Sequence, residues 1–214
     1  MKIIVAVIVY DRLTNLIEWI RCWKMCDRKE GTELVIVHNY KSHAEKDIFA
    51  LYCQKEGIKC FSRHNTGMDI GAFQDVCYGR IEGFPEWEYL LWSTDDVFPM
   101  TKSFLSPYIN KINNSPHSVV CLELSHEVKP HIRTTGFIIG RETARKLTFP
   151  ADPISTREEC FQFEHRSKNA FLEQIHSFGG QVIQVYSDVE HSYMWDTHNR
   201  ARFNREKERL ITFT

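Results

Sequence analysis

Apolar residues in this chain fall into short runs rich in β-branched side chains, separated by polar turns. Such runs stand at Ile3–Val9, Glu33–Val37, Lys59–Ser62, Tyr89–Trp92, Ser118–Leu124, Gly136–Gly140 and Gln181–Val185, and each has the length and composition of a strand. Between the early runs the period changes. Leu16, Ile17, Ile20, Trp23 and Met25 recur at near-helical spacing within Leu16–Cys26, and Ile48, Leu51 and Tyr52 do so within His43–Glu56, which Gly57 ends. A third helix is predicted from about Ala72 to Tyr78, and a later one from Asn169 to Phe178, stopped by Gly179 and Gly180. Strands alternating with helices predict an α/β fold whose sheet is mainly parallel and flanked by helices. Tyr89–Trp92, apolar throughout, reads as a central strand buried on both faces.

Sheets of this kind bind ligands where the carboxyl ends of their strands enter loops. Here those exits are polar: Tyr10-Asp11-Arg12, then His38-Asn39-Tyr40, then His64 to Asp69, then Ser93-Thr94-Asp95-Asp96. Two adjacent carboxylates at the end of a buried strand repel one another and raise each other's pKa unless a cation neutralises them. A hard divalent ion completed by substrate phosphates is one solution, and a solvated turn in which Asp95 caps the next segment is the other. The third exit carries two glycines around an acid, in Asn65-Thr66-Gly67-Met68-Asp69-Ile70-Gly71, just before a helix. Glycine permits close backbone approach, and a helix start presents free N–H groups to an anion. No Gly-Lys-Ser/Thr follows and the glycines are too few for a dinucleotide fingerprint, which excludes P-loop kinases and dehydrogenases.

Composition narrows the picture further. The 214 residues and a hydrophobic fraction of 43% suit one domain with an ordinary core. Lys and Arg total 27 against 28 Asp and Glu, with no basic run interleaved with aromatics, so no nucleic-acid partner is expected and any phosphate site must be local. Ile3–Val9 is too short to span a bilayer and is followed at once by charge, which predicts a cytoplasmic protein. Seven cysteines without a Cys-x-x-Cys pair read as reduced, mostly buried thiols.

The order of a β-α-β start, Asn65-x-Gly67-x-Asp69-x-Gly71-Ala72, and a hydrophobic strand ending in Thr94-Asp95-Asp96 resembles the nucleotide-sugar-binding half of GT-A-fold glycosyltransferases. Within that fold it is most similar to family 2 enzymes and to the rhamnan-synthesis type of bacterial polysaccharide glycosyltransferase, over roughly residues 1 to 190. The resemblance implies an inverting transferase with a nucleotide-diphosphate sugar donor, Mn²⁺ or Mg²⁺, and a glycan or lipid-linked acceptor. It places Tyr10, Asp11 and Arg12 near base and ribose, with Asn39, Asn65, Gly67 and Asp69 beside the nucleotide. Asp96 matches the direct metal ligand and Asp95 the acid nearer ribose or metal, while Thr94 stands where many relatives carry a further acid. Thr135 and Gly136, opening the segment to Arg141, match the acceptor side, for which an ordinary edge strand is the plainer alternative. Glu164, read as opening the Asn169–Phe178 helix, matches the general base on the acceptor hydroxyl. Glu158 and Glu159 compete for that role or serve as helix-start acids. His191 and His198 match C-terminal metal or diphosphate ligands beside Trp195; the other histidines, among them His38, His131 and His165, show no metal spacing and read as surface or satisfied imidazoles.

On this reading, residues 1–100 form the nucleotide-sugar half, 101–190 the acceptor half and 191–214 a lid or tail of one domain. Peripheral contact with the inner face of a membrane is compatible with a lipid-linked acceptor. One rival is a nucleotidyltransferase, which needs a glycine-rich basic loop where Tyr10-Asp11-Arg12-Leu13 has none. Another is an inactive nucleotide-sugar-binding module, favoured by Thr94. A third is a partner subunit presenting aromatics such as Trp87 or Trp195.

Overall fold

Strand β1 (Ile3–Val9) is buried along its whole length. It pairs in parallel with β2 (Thr32–Tyr40) on one side and β4 (Tyr89–Thr94) on the other. A computed structural model of the chain describes residues 1–185 apart from 100, 114–116, 123, 126–128, 134–135, 151–153 and 155. Its seven-stranded sheet has the order β3-β2-β1-β4-β6-β5-β7, with β3 at Lys59–His64, β5 at Val119–Cys121, β6 at Phe137–Gly140 and β7 at Val182–Gln184. The sheet is mostly parallel. β6 alone runs against its neighbours β4 and β5, so the carboxyl end of β5 returns to the same edge as those of β1 to β4. The segment opening at Gly136 is therefore an interior strand and not an edge: Phe137–Gly140 is buried throughout and hydrogen-bonded on both sides.

The period of two along β1 explains the layers. Ile4, Ala6 and Ile8 face one core, with Phe73, Trp92, Phe137 and Phe171; Ile3, Val5, Val7 and Val9 face the other, with Trp19, Ile20, Phe49 and Ile109. Helices α1 (Leu13–Met25), α2 (His43–Glu56) and α4 (Leu105–Asn113) supply the second layer. The first is covered by α3 (Met68–Cys77), α5 (Arg141–Lys146), α6 (Arg157–Phe161) and α7 (Phe171–Ser177). Trp87 is 5% exposed and belongs to this core, which corrects its reading as a contact aromatic. All seven cysteines are free and six are buried.

Two helix boundaries differ from the sequence pattern. α3 begins at Met68, so Asp69 lies in its first turn and Gly71 inside it. Gly67 is left-handed (φ +78°) and directs the chain into the helix, and a Cβ on Gly71 would fall 2.4 Å from the Thr66 carbonyl oxygen, so the close turn needs glycine there. Glu164 does not open α7 but lies in a π-helical turn, Gln162–Arg166, that continues α6. A capping box starts α6: the Thr156 hydroxyl accepts from the Glu159 amide, and Glu159 accepts from the Thr156 amide.

Candidate active site at the carboxyl edge of the sheet

Four parallel strands deliver their exits to one edge. Asp95 follows β4 directly and is 6% exposed, whereas Asp96 beside it is open to solvent. Arg12, at the start of α1, brings Nη1 to 3.9 Å from Asp95 Oδ1 and 3.8 Å from Asp96 Oδ2. The Thr94 hydroxyl donates to Asp96 Oδ1 at 2.6 Å. Asp95 Oδ2 is buried with no hydrogen-bond partner among the described residues. Burial, then the charge of Asp96, push the Asp95 carboxyl up to about 7, against the pull of Arg12. An orphaned, desolvated carboxylate oxygen next to a second, exposed carboxylate is a donor set that suits a hard divalent cation. Lys41 reaches Asp11 at 3.4 Å and lies 4.3 Å from the centre of the Tyr10 ring, so the exits of β1 and β2 are joined by charge.

The neighbouring exits are locked by Arg63, which sequence reasoning did not single out. Its Nε donates to Asp75 at 2.8 Å, Nη1 to Asn39 Oδ1 at 2.7 Å and Nη2 to the Thr66 carbonyl at 2.7 Å. Buried Asn39 in turn donates to Asn65 Oδ1 at 3.2 Å and to the Met68 carbonyl at 2.9 Å. One guanidinium thus fixes β2, β3 and the start of α3, and the fork geometry of arginine is what lets three partners share it. Asn39, Asn65 and Gly67 are brought together by this network, while Asp95 and Asp96 gather with Arg12.

On the other side of the edge, Gly136 adopts φ +68°, donates its amide to the Trp92 carbonyl and accepts from the Tyr108 hydroxyl at 3.2 Å. Thr135, His191, Trp195 and His198 lie outside the described residues. Cys160 sits 3.5 Å from the Met68 sulfur, so α6 packs on the start of α3. Burial, then the charges of Asp69 and Glu164, push the Cys160 thiol up to about 12, which shows that these two acids face the same region. Of the three candidate bases, Glu159 holds the Thr156 cap and Glu158 is ion-paired to Arg166 at 2.6 Å. Glu164 instead lies beside two buried imidazoles: ligand atoms of His131, Glu164 and His165 all fall within 4.8 Å of one another. Their separation along the sequence hid this grouping; of the two alternatives read for His131 and His165, surface or satisfied imidazoles, burial removes the first. A cavity of about 370 Å³, bounded by Arg63, Thr66, Gly67, Gly71 and Asp75, opens behind the start of α3.

This arrangement is a GT-A-like α/β fold, of the type found in nucleotide-diphospho-sugar transferases. Among solved structures, the mannosyltransferase PcManGT from Pyrobaculum calidifontis, in complex with GDP-Man and Mn²⁺, is similar over 86% of this chain and 54% of its own, with a TM-score of 0.63 and 11% identity. TarS 1-349 of S. aureus is similar over 75% of this chain and 53% of its own, with a TM-score of 0.50 and 16% identity. The chain therefore spans about half the length of these two structures. A cytidylyltransferase from Leptospira borgpetersenii is similar over 100% of this chain and 98% of its own, with a TM-score of 0.53 and 12% identity. No family model and no curated protein matches the sequence. Among the described residues, no helix is long and apolar enough to cross a membrane.

Proposed function

We propose that the chain is a metal-dependent glycosyltransferase that moves a sugar, with inversion, from a nucleotide-diphosphate donor to a glycan or lipid-linked acceptor in surface polysaccharide synthesis. The observation that carries this reading is the Asp95–Asp96 pair at the end of β4, in which Asp95 Oδ2 is buried with no hydrogen-bond partner among the described residues while Oδ1 lies 3.9 Å from Arg12. Residues 1–100 would hold the donor and 101–190 the acceptor. Asp96 and Asp95 would hold Mn²⁺ or Mg²⁺, and the ion would supply charge neutralisation for the departing diphosphate. Arg12 and the N–H groups at the start of α3 favour the same anion, and Asn39, held by Arg63, orients the turn that leads into α3 and Asp69. Tyr10 and Asp11 flank the base and ribose on this reading. Glu159 caps α6 and Glu158 pairs with Arg166, and of the three acids Glu164 is the base we assign; Gly136 turns the chain into β6 on the acceptor side.

A nucleotidyltransferase reading is favoured by the near-complete length match with the cytidylyltransferase. Tyr10-Asp11-Arg12-Leu13, without glycine, weighs against it. The test is a thermal-shift screen of UDP-, GDP-, CMP- and dTDP-sugars and of CTP, each with and without Mn²⁺, on the wild type and on Asp96→Ala. Metal-dependent stabilisation by one nucleotide sugar, absent in the variant, is expected. A response to CTP alone favours the nucleotidyltransferase. Silence with every nucleotide overturns the donor site, and binding without measurable transfer makes the chain an inactive module of the same fold.

A further inference from the structure

The grouping of His131, Glu164 and His165 is not explained by the donor site. His131 and His165 are 2% and 4% exposed, their ring centroids are 4.5 Å apart, and Glu164 joins them from a half-buried position. The rings are tilted at 44°, and two buried imidazoles beside a carboxylate are the groups that share a proton or an ion.

We propose that His131, Glu164 and His165 form a binding site for a divalent first-row transition ion, zinc foremost, built from a different set of residues from the Asp95–Asp96 pair. The distances allow it. Nitrogen and oxygen ligands sit about 2.0–2.2 Å from zinc, so two of them can be about 4.4 Å apart at most. All three ligand atoms already lie within 4.8 Å of one another, within about 0.4 Å of that limit. The tautomer of His131 is also set. Its Nδ1 lies 2.8 Å from the Lys129 carbonyl, an acceptor only, so Nδ1 carries the proton and Nε2 keeps the lone pair. An imidazole held by a backbone carbonyl through one nitrogen while the other carries the lone pair is the common arrangement of a metal-binding histidine.

Backbone hydrogen bonds and an ion pair anchor His131 and its neighbour Lys129. Ser125 and His131 exchange backbone hydrogen bonds of 2.9 and 3.0 Å, and Lys129 pairs with Glu173 of α7 at 2.9 Å. Glu164 and His165 are consecutive, and the π-helical turn widens the helix so that neighbouring side chains diverge less than in an α-helix. Two nitrogens and one carboxylate select zinc and its transition-metal neighbours over Mg²⁺ or Ca²⁺, which prefer oxygen alone. Three protein ligands leave one position open. An ion there fastens the loop after β5 to the π-helical turn and takes up the Glu164 carboxylate, so this site and the assignment of Glu164 as base exclude one another. The Asp95–Asp96 donor site uses none of these residues, and the failure of the donor reading is distinguishable from the failure of this one.

Cobalt is the probe, since nitrogen-ligated Co²⁺ of low coordination number absorbs strongly in the visible while oxygen-only six-coordinate Co²⁺ is faint. Titration of the full chain with Co²⁺, without nucleotide, should give a strong visible band at one equivalent that Zn²⁺ displaces. Glu164→Gln and His165→Gln, checked for folding by circular dichroism, should each weaken binding at least about tenfold. Asp96→Ala should retain the band. A faint band only in the wild type overturns the site whatever the variants do, and so does a strong band lost in Asp96→Ala but kept in Glu164→Gln.

Discussion

Two carboxylate-bearing regions lie at the same edge of the sheet, and they are assembled in opposite ways. Asp95 and Asp96 are adjacent in sequence, both acidic, and held by one exposed arginine nearly 4 Å from each. His131, Glu164 and His165 come from a loop and a π-helical turn, mix nitrogen with oxygen, and already converge to within 4.8 Å. The first is a charge conflict that folding tolerates, with Asp95 kept partly protonated near neutrality by burial and by its neighbour. The second sets two buried imidazoles and one acid within 4.8 Å of one another. On the readings proposed above, the paired carboxylates take a cation together with an anionic substrate, whereas two imidazoles and one acid hold an ion without any substrate.

The largest expected effect falls on the first region. Asp96→Asn keeps the shape and the acceptance from Thr94 but removes the exposed charge, and sugar transfer should drop about a hundredfold or more, the scale of losing one electrostatic contact to a developing charge. Saturating donor with Mn²⁺ should not restore it. Transfer within a few-fold of wild type would show that the pair is the solvated turn of the plainer reading. Co²⁺ binding at His131, Glu164 and His165 should be unchanged in the same variant, which is what keeps the two regions distinct.

The next effect concerns the frame that both regions share. Arg63 satisfies Asn39, Thr66 and Asp75 at once while its own side chain is 13% exposed. Arg63→Met would strand a buried amide oxygen and leave Asp75 only its 3.6 Å pair with Arg80, at a cost of about 2–3 kcal/mol in unfolding free energy. Urea denaturation reads it, and a loss below about 1 kcal/mol would mean that the network is a surface feature without consequence for the fold.

The two regions also differ in how far the chain's pattern reveals them. All seven strands fall on the runs read from the sequence; β1, β5 and β6, buried throughout, are apolar or glycine at every position, whereas β3, half-buried with Lys59, Ser62, Arg63 and His64, is marked only by its place between turns. The reversal of β6 is not visible, since periodicity carries no direction. Helix α4 repeats Leu105, Tyr108, Ile109 and Ile112 on one face, yet Pro107 argues against a helix unless it falls in the first turn, as it does. α5 and α6 are too short to establish a period. Asp95 and Asp96 are legible because their meaning depends on a strand end and on adjacency. Arg63 and the His131 grouping are not, because their meaning depends on which loops meet across the sheet, and no spacing rule encodes that.

The smallest effect uses a third buried imidazole as the control for the other two. His38, in β2, is fully buried and stacks on Phe49 with centroids 4.0 Å apart; neither ring nitrogen has a hydrogen-bond partner among the described residues. Burial lowers it to about 4, slightly opposed by the charge of Glu45. An unfolded histidine titrates near 6.5, so between about pH 6.5 and 4 the unfolded chain binds the extra proton and the folded chain does not. The contribution to stability is therefore complete above about 6.5 and lost as pH falls through that window, by about 2 kcal/mol once relaxation of the buried site is allowed for. His38→Leu keeps an apolar side chain against Phe49 and should flatten this part of the urea-midpoint profile, while leaving Co²⁺ and donor binding unchanged. An unaltered slope in the variant would mean that the proton taken up on unfolding in this window belongs to another group, and the assignment of the acid limb to the burial of His38 would fail.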